Sequence, residues 1–151
     1  MQTVDVDIQK CFEPLFGQSP WRARGGVGSF LTFDFGGRIR RDGRQYGQWH
    51  LWIYQANWEL KHGDQPLAGS NSKRHLIDLA VRRLERVPFT GVEVDRELNT
   101  NFTFGDFLLK VTPADYLDQP DKRDAYWLFF VPGDEVLTVG PGGINLGSSN
   151  K

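Results

Sequence analysis

The sequence predicts an α+β fold: a curved antiparallel sheet of about six strands, one main helix packed on it, and a short N-terminal helix. Three observations carry this expectation. Segments 27–35 and 49–60 alternate at the two-residue period of a strand, and four more β segments lie beyond residue 88. Only 72–86 sustains a long helical stripe. Helices and strands do not alternate as β-α-β units, which disfavours a doubly wound parallel sheet. The 151-residue length suits one domain, residues 1–151, with no internal repeat and a Gly- and Ser-rich tail, 141–151, expected to be flexible.

The elements follow in order. Over residues 4–16, Ile8, Cys11, Phe12 and Leu15 fall on one helical face, and Pro14 breaks the helix. Residues 17–26 read as a loop. Strand 27–35 places Val27, Ser29, Leu31, Phe33 and Phe35 on one face, with Gly28, Phe30, Thr32 and Asp34 on the other. The polar, basic run 37–48 carries a turn signal at Asp42-Gly43. Strand 49–60 is apolar on both faces at its start, with Trp49, Leu51 and Ile53 against His50, Trp52 and Tyr54, which predicts a central or doubly covered strand.

After a loop at 61–71, helix 72–86 presents Leu76, Leu79, Ala80, Leu84 and Val87, with Ser72 as a candidate N-cap, Ser70 and Asn71 as its competitors, and Pro88 as the stop. Strands are expected at 89–95, at 101–111 with a bulge at Gly105-Asp106, at 125–131 and at 135–139. The acidic stretch 113–124 reads as a surface loop. The expected core is Phe30, Leu31, Phe33, Leu51, Ile53, Leu76, Leu79, Ala80, Leu84, Val92, Val94, Leu128 and Phe130.

Composition narrows function more than it names one. Nineteen acids against eighteen bases give a net charge of −1, which disfavours a general nucleic-acid binder. Cys11 is the only cysteine, so no disulfide forms within the chain, which fits a reducing cytosol. Residues 1–10 hold no apolar run, and no stretch approaches a spanning helix, so neither a signal peptide nor a membrane anchor is expected.

The chemistry-bearing residues form no complete motif. Glycines 25, 26 and 28 precede a strand rather than a helix, which is the wrong context for a phosphate loop. His50, His62 and His75 have no metal-ligand spacing, so no metal or cofactor is expected. A carboxylate/histidine site would draw on His50, Asp34 and Glu59, set against the simpler reading of His50 as a packed core residue. Cys11, on an apolar helix face, reads as a small core residue.

Charge is uneven along the chain. Residues 22–44 hold Arg22, Arg24, Arg38, Arg40, Arg41 and Arg44 against Asp34 and Asp42, a net +4, while 113–135 carries a net −4. Arginine rather than lysine favours bidentate contact with carboxylate or phosphate, while solvated loop charge or contact between the two blocks explains the run without a ligand. Of five tryptophans, Trp21 beside these arginines and Trp58 beside Asn57 and Glu59 are the candidates for contact.

The run Gly26-Val27-Gly28-Ser29-Phe30-Leu31-Thr32-Phe33-Asp34-Phe35-Gly36, followed by Gly47-Gln48-Trp49-His50-Leu51-Trp52-Ile53-Tyr54, resembles a group of small bacterial proteins with a G-x-GSFLT-x-x-FG … G-x-WHLWIY pattern. The resemblance implies a bacterial cytosolic protein and brings no activity, cofactor or catalytic residue. The favoured expectation is a non-enzymatic protein-binding or accessory module of a bacterial cytosolic system, immunity- or defence-like, using Trp21, Arg22, Arg24 and the arginines of 38–44 on another protein or a second copy. The alternatives are a small enzyme at His50, Asp34 and Glu59, or a small-ligand or sugar binder using tryptophans.

Overall fold

The computed structural model describes residues 7–114 and 124–148. The fold is α+β and antiparallel throughout, but its strands divide between two sheets rather than forming one. The first sheet orders β1 (Arg22–Gly25), β2 (Leu31–Arg41), β3 (Arg44–Ile53), β9 (Trp127–Val131), β10 (Glu135–Gly140) and β11 (Gly143–Ser148). The second orders β5 (Gln65–Gly69), β4 (Ala56–His62), β8 (Phe107–Pro113), β7 (Thr100–Phe104) and β6 (Phe89–Val94).

The expected strand 49–60 is two strands, one in each sheet. Its buried residues explain why: Leu51 and Ile53 are odd-numbered, whereas Ala56, Trp58 and Leu60 are even. The parity slips at Tyr54-Gln55, where the chain crosses between sheets and both amides bond to the Ala125–Tyr126 backbone. Similarly, Gly105-Asp106 is a hairpin turn rather than a bulge, since Phe104 pairs directly with Phe107. Strand β1 occupies part of the expected loop 17–26, and β5 part of the expected loop 61–71. The basic run 37–48 lies mostly within β2 and β3. Part of the expected flexible tail is β11, which pairs with β10 from Gly143 to Ser148.

Helix α1 (Ile8–Phe12) starts at Asp7, whose carboxylate accepts from the Lys10 amide, and passes into a 3-10 turn, Glu13–Leu15, containing Pro14. Phe12 lies between the sheets. It stacks on Phe129 of β9 at 3.9 Å and touches Phe89, Phe102 and Trp127. The inner faces contribute Phe33, Phe35, Leu51 and Leu137 from one side and Phe104, Leu109 and Val111 from the other, all buried. Trp127 Nε1–H reaches the equally buried Thr100 hydroxyl at 2.9 Å.

Helix α2 (Arg74–Arg82), continued by a 3-10 turn, Arg83–Arg86, packs on β1 and β5. Its cap is Lys73; Ser72 instead uses its hydroxyl to accept from the Gly69 amide. The buried residues are Ile77, Ala80, Val81 and Leu84, whereas Leu76 and Leu79 are 44% and 65% exposed. These two therefore leave the expected core. Phe30, Val94, Leu128 and Phe130 are half-buried. The acidic stretch 113–124 lies mostly outside the described residues.

Candidate functional site

The outer face of the first sheet carries a polar network centred on Asp34. Register places Asp34 of β2 between Arg22 of β1 and His50 of β3. Side chains directly across neighbouring strands share a face, so these three meet. Asp34 points away from the inter-sheet core yet is fully buried. Its Oδ2 accepts from Arg22 Nε at 2.8 Å, and its Oδ1 accepts from the Gly47 amide at 2.9 Å and from His50 Nδ1 at 2.7 Å. Burial pushes the carboxyl up, but the hydrogen bond and charge from His50, the Gly47 amide and Arg22 outweigh it and hold Asp34 below its usual range.

Glycine makes that approach possible. Between Phe35 and Arg38 the register shifts, so Gly36 and Gly37 bulge opposite Gln48. Past the bulge, a Cβ on Gly47 would sit 2.5 Å from the Phe35 carbonyl oxygen and 2.6 Å from its nitrogen. Only glycine brings this amide onto Asp34. The hairpin then closes at Asp42-Gly43, both with positive φ (52° and 76°), the conformation of a tight I′ turn.

An ionised Asp34 leaves the shared proton on His50 Nδ1. In the neutral ring Nε2 therefore carries the lone pair, and in the charged ring it is a donor. His50 borders a cavity of about 450 Å³ between the β2–β3 hairpin and the β9–β10 turn. Tyr46, Trp52 and Phe130 give it aromatic walls; Ile39 and Arg41 come from the hairpin, and Val131, Pro132, Gly133 and Asp134 from the turn. The Tyr46 ring meets His50 edge-on at 5.7 Å, and Phe130 lies 5.9 Å away. Arg41 and Asp134 form an ion pair at 3.7 Å between hairpin and turn. That pair joins the basic and acidic blocks of the sequence.

The sequence-derived candidates separate. Asp34 and His50 come together, whereas Glu59 is exposed on the second sheet, 3.8 Å from Lys61. Trp58 is not a contact residue: it is 4% exposed, with Nε1–H donating to the Ser29 carbonyl, because β4 turns its even positions inward. Arg22 is engaged by Asp34, and Arg24 by Glu85. Trp21 is half-buried, with the Arg38 and Arg22 guanidiniums 4.2 Å and 4.9 Å from its ring. Arg38, Arg40, Arg41 and Arg44 are exposed along the hairpin.

Sequence reasoning missed Tyr46, Trp52 and Phe130 as cavity walls. The available signal was parity: Tyr46, Gln48, His50 and Trp52 share one face of β3, which register sets beside Phe130. Cys11 is half-buried, and burial, then Asp7 and Glu135, push its thiol up, away from nucleophilic character.

The dyad offers acid–base chemistry, but among the described residues no hydroxyl or thiol hydrogen-bonds to His50. Nor do three or more His, Cys, Asp and Glu side chains cluster to hold a metal ion among them. None of the described helices is long and apolar enough to cross a membrane. No protein-family model, curated protein or solved structure matches this chain.

Proposed function

We propose that the protein binds a small amphipathic ligand in the cavity beneath the β2–β3 hairpin. Trp52, Tyr46 and Phe130 would take the apolar part, and His50 Nε2 would fix a polar group. One observation carries this reading: a histidine oriented by a fully buried carboxylate faces an aromatic-walled cavity of about 450 Å³. Small-molecule sites typically span about 300–1,000 Å³, with apolar walls and a few fixed polar groups. Titration with a panel of aromatic acids, phenols, nucleosides and sugars, read by tryptophan fluorescence and thermal shift, tests it. At least one compound should bind, and His50→Ala should weaken it about tenfold, the effect of losing one well-placed hydrogen bond. A silent panel, or equal affinity in the variant, overturns the reading.

The exposed arginines of the hairpin favour a second reading: a protein-binding accessory module in a bacterial cytosol, docking this arm on an acidic partner or a second copy. Arg40 alternates away from the Ile39–Arg41 side that borders the cavity. Arg40→Glu therefore separates the two readings. It should abolish recovery of a stoichiometric partner in pull-downs while leaving small-ligand binding intact; unchanged recovery removes the arm from consideration.

A further inference from the structure

We propose that the cavity selects an anion, an aromatic or apolar body bearing a carboxylate or phosphate, whose charged group is taken up by Arg41 and Arg44 at the rim. This rests on the small-ligand reading and names the class of ligand.

The hairpin register sets Arg41 directly opposite Arg44, on either side of the Asp42-Gly43 turn. The adjoining pairs alternate, so both arginines share the face of Ile39 and Tyr46, which border the cavity. Like charges directly opposed destabilise a two-stranded ribbon, and this pair sits where it gains least from burial.

Its compensation within the fold is slight. Arg41 has Asp134 at 3.7 Å, with both side chains more than half exposed, at 60% and 53%; among the described residues no ion pair forms to Arg44. An ion pair so exposed is weak in water, and Arg41 can exchange Asp134 for a ligand at little loss. Three acids lie nearby. Asp34 is fully buried and already matched by Arg22 and His50. Asp42 and Asp134 border the cavity beside Arg41, while Arg40 alternates to the opposite face, so the cavity side sets Arg41 and Arg44 against those two carboxylates and the preference rests on the guanidinium forks. The guanidinium fork matches two oxygens of a carboxylate or phosphate at once. An aromatic body would then lie against Trp52 and Phe130, with the anion at the mouth.

The test uses three probes sharing one aromatic body: 1-naphthyl phosphate, 1-naphthoate and neutral 1-naphthol. Each is titrated by calorimetry into the full chain and into Arg41→Gln/Arg44→Gln. Both anions should bind the native chain about tenfold tighter than 1-naphthol, and the double variant should close that gap to under about threefold. Should the double variant fail to fold, Arg44→Gln alone should narrow the gap about threefold, since among the described residues that side chain has no ion pair to lose. If 1-naphthol binds the native chain as tightly as the anions, or the gap survives the variants, the anion class falls and the cavity reading stands. If none of the three binds, both fall.

Discussion

Asp34 is a carboxylate on the outer side of a sheet that nonetheless meets no solvent. It stays charged because three donors close on its two oxygens. Asp34→Asn removes the charge while leaving Arg22 and the Gly47 amide facing the site. The expected loss is about 2–3 kcal/mol at neutral pH, less than for a wholly buried pair because Arg22 is one-third exposed. The pH dependence has a definite sign. The folded pKa lies below the ordinary value of 3.8, so the contribution is full above that value and fades as pH falls through the folded pKa. Urea unfolding should show the gap between native and Asp34→Asn chains widest near neutrality and narrowing below about pH 4. A gap independent of pH would show that the charge itself contributes nothing.

At the scale of an element, α2 shows why a correct helix can carry a wrong face. Leu76, Leu79, Ala80 and Leu84 form one stripe; Ile77, Ala80, Val81 and Leu84 form another, rotated by about one residue around the same helix. Both satisfy helical spacing. The second is buried because α2 lies against β1, where Gly25 comes so close that a Cβ would sit 3.3 Å from Ile77 Cγ2. Leu79→Asp should therefore change stability by less than about 0.5 kcal/mol, whereas Val81→Asp should cost about 3 kcal/mol or more by burying an unpaired charge. Thermal melting of the two variants decides: similar losses would return Leu79 to the core. The β3–β4 boundary teaches a related lesson. Its parity slip was present in the sequence, but two apolar faces on one segment concealed it.

For the whole molecule, Phe12 fills the seam between two sheets that also meet directly through Phe33–Phe104, Phe35–Phe89 and Phe102–Trp127. It contacts the first sheet through Phe129 and Trp127 and the second through Phe89 and Phe102. Phe12→Ala empties that seam and should cost about 3–5 kcal/mol, read as a lower urea midpoint with an unchanged slope. A loss below about 1 kcal/mol would mean that α1 only rests on a core complete without it. The ligand cavity also belongs to this scale. One wall is a hairpin near residue 46 and the other a turn near residue 132, and they adjoin because β3 pairs with β9.

The sequence by itself determined what depends on near neighbours: the α+β class, the α1 face of Ile8, Cys11 and Phe12, the Asp42-Gly43 turn and the two-residue alternation that names Asp34 and His50. Steric limits on the backbone and the spacing of apolar side chains act within a few residues, so they are written locally. Tertiary structure alone decided that there are two sheets, that Trp58 faces inward, that Glu59 lies on the other sheet, and that Asp34, His50 and Arg22 share one network. Those outcomes depend on which strands pair and in what register, and a one-residue change of register exchanges the two faces of a strand. Partners such as β3 and β9 are more than seventy residues apart at His50 and Phe130, a distance across which local patterning carries no information.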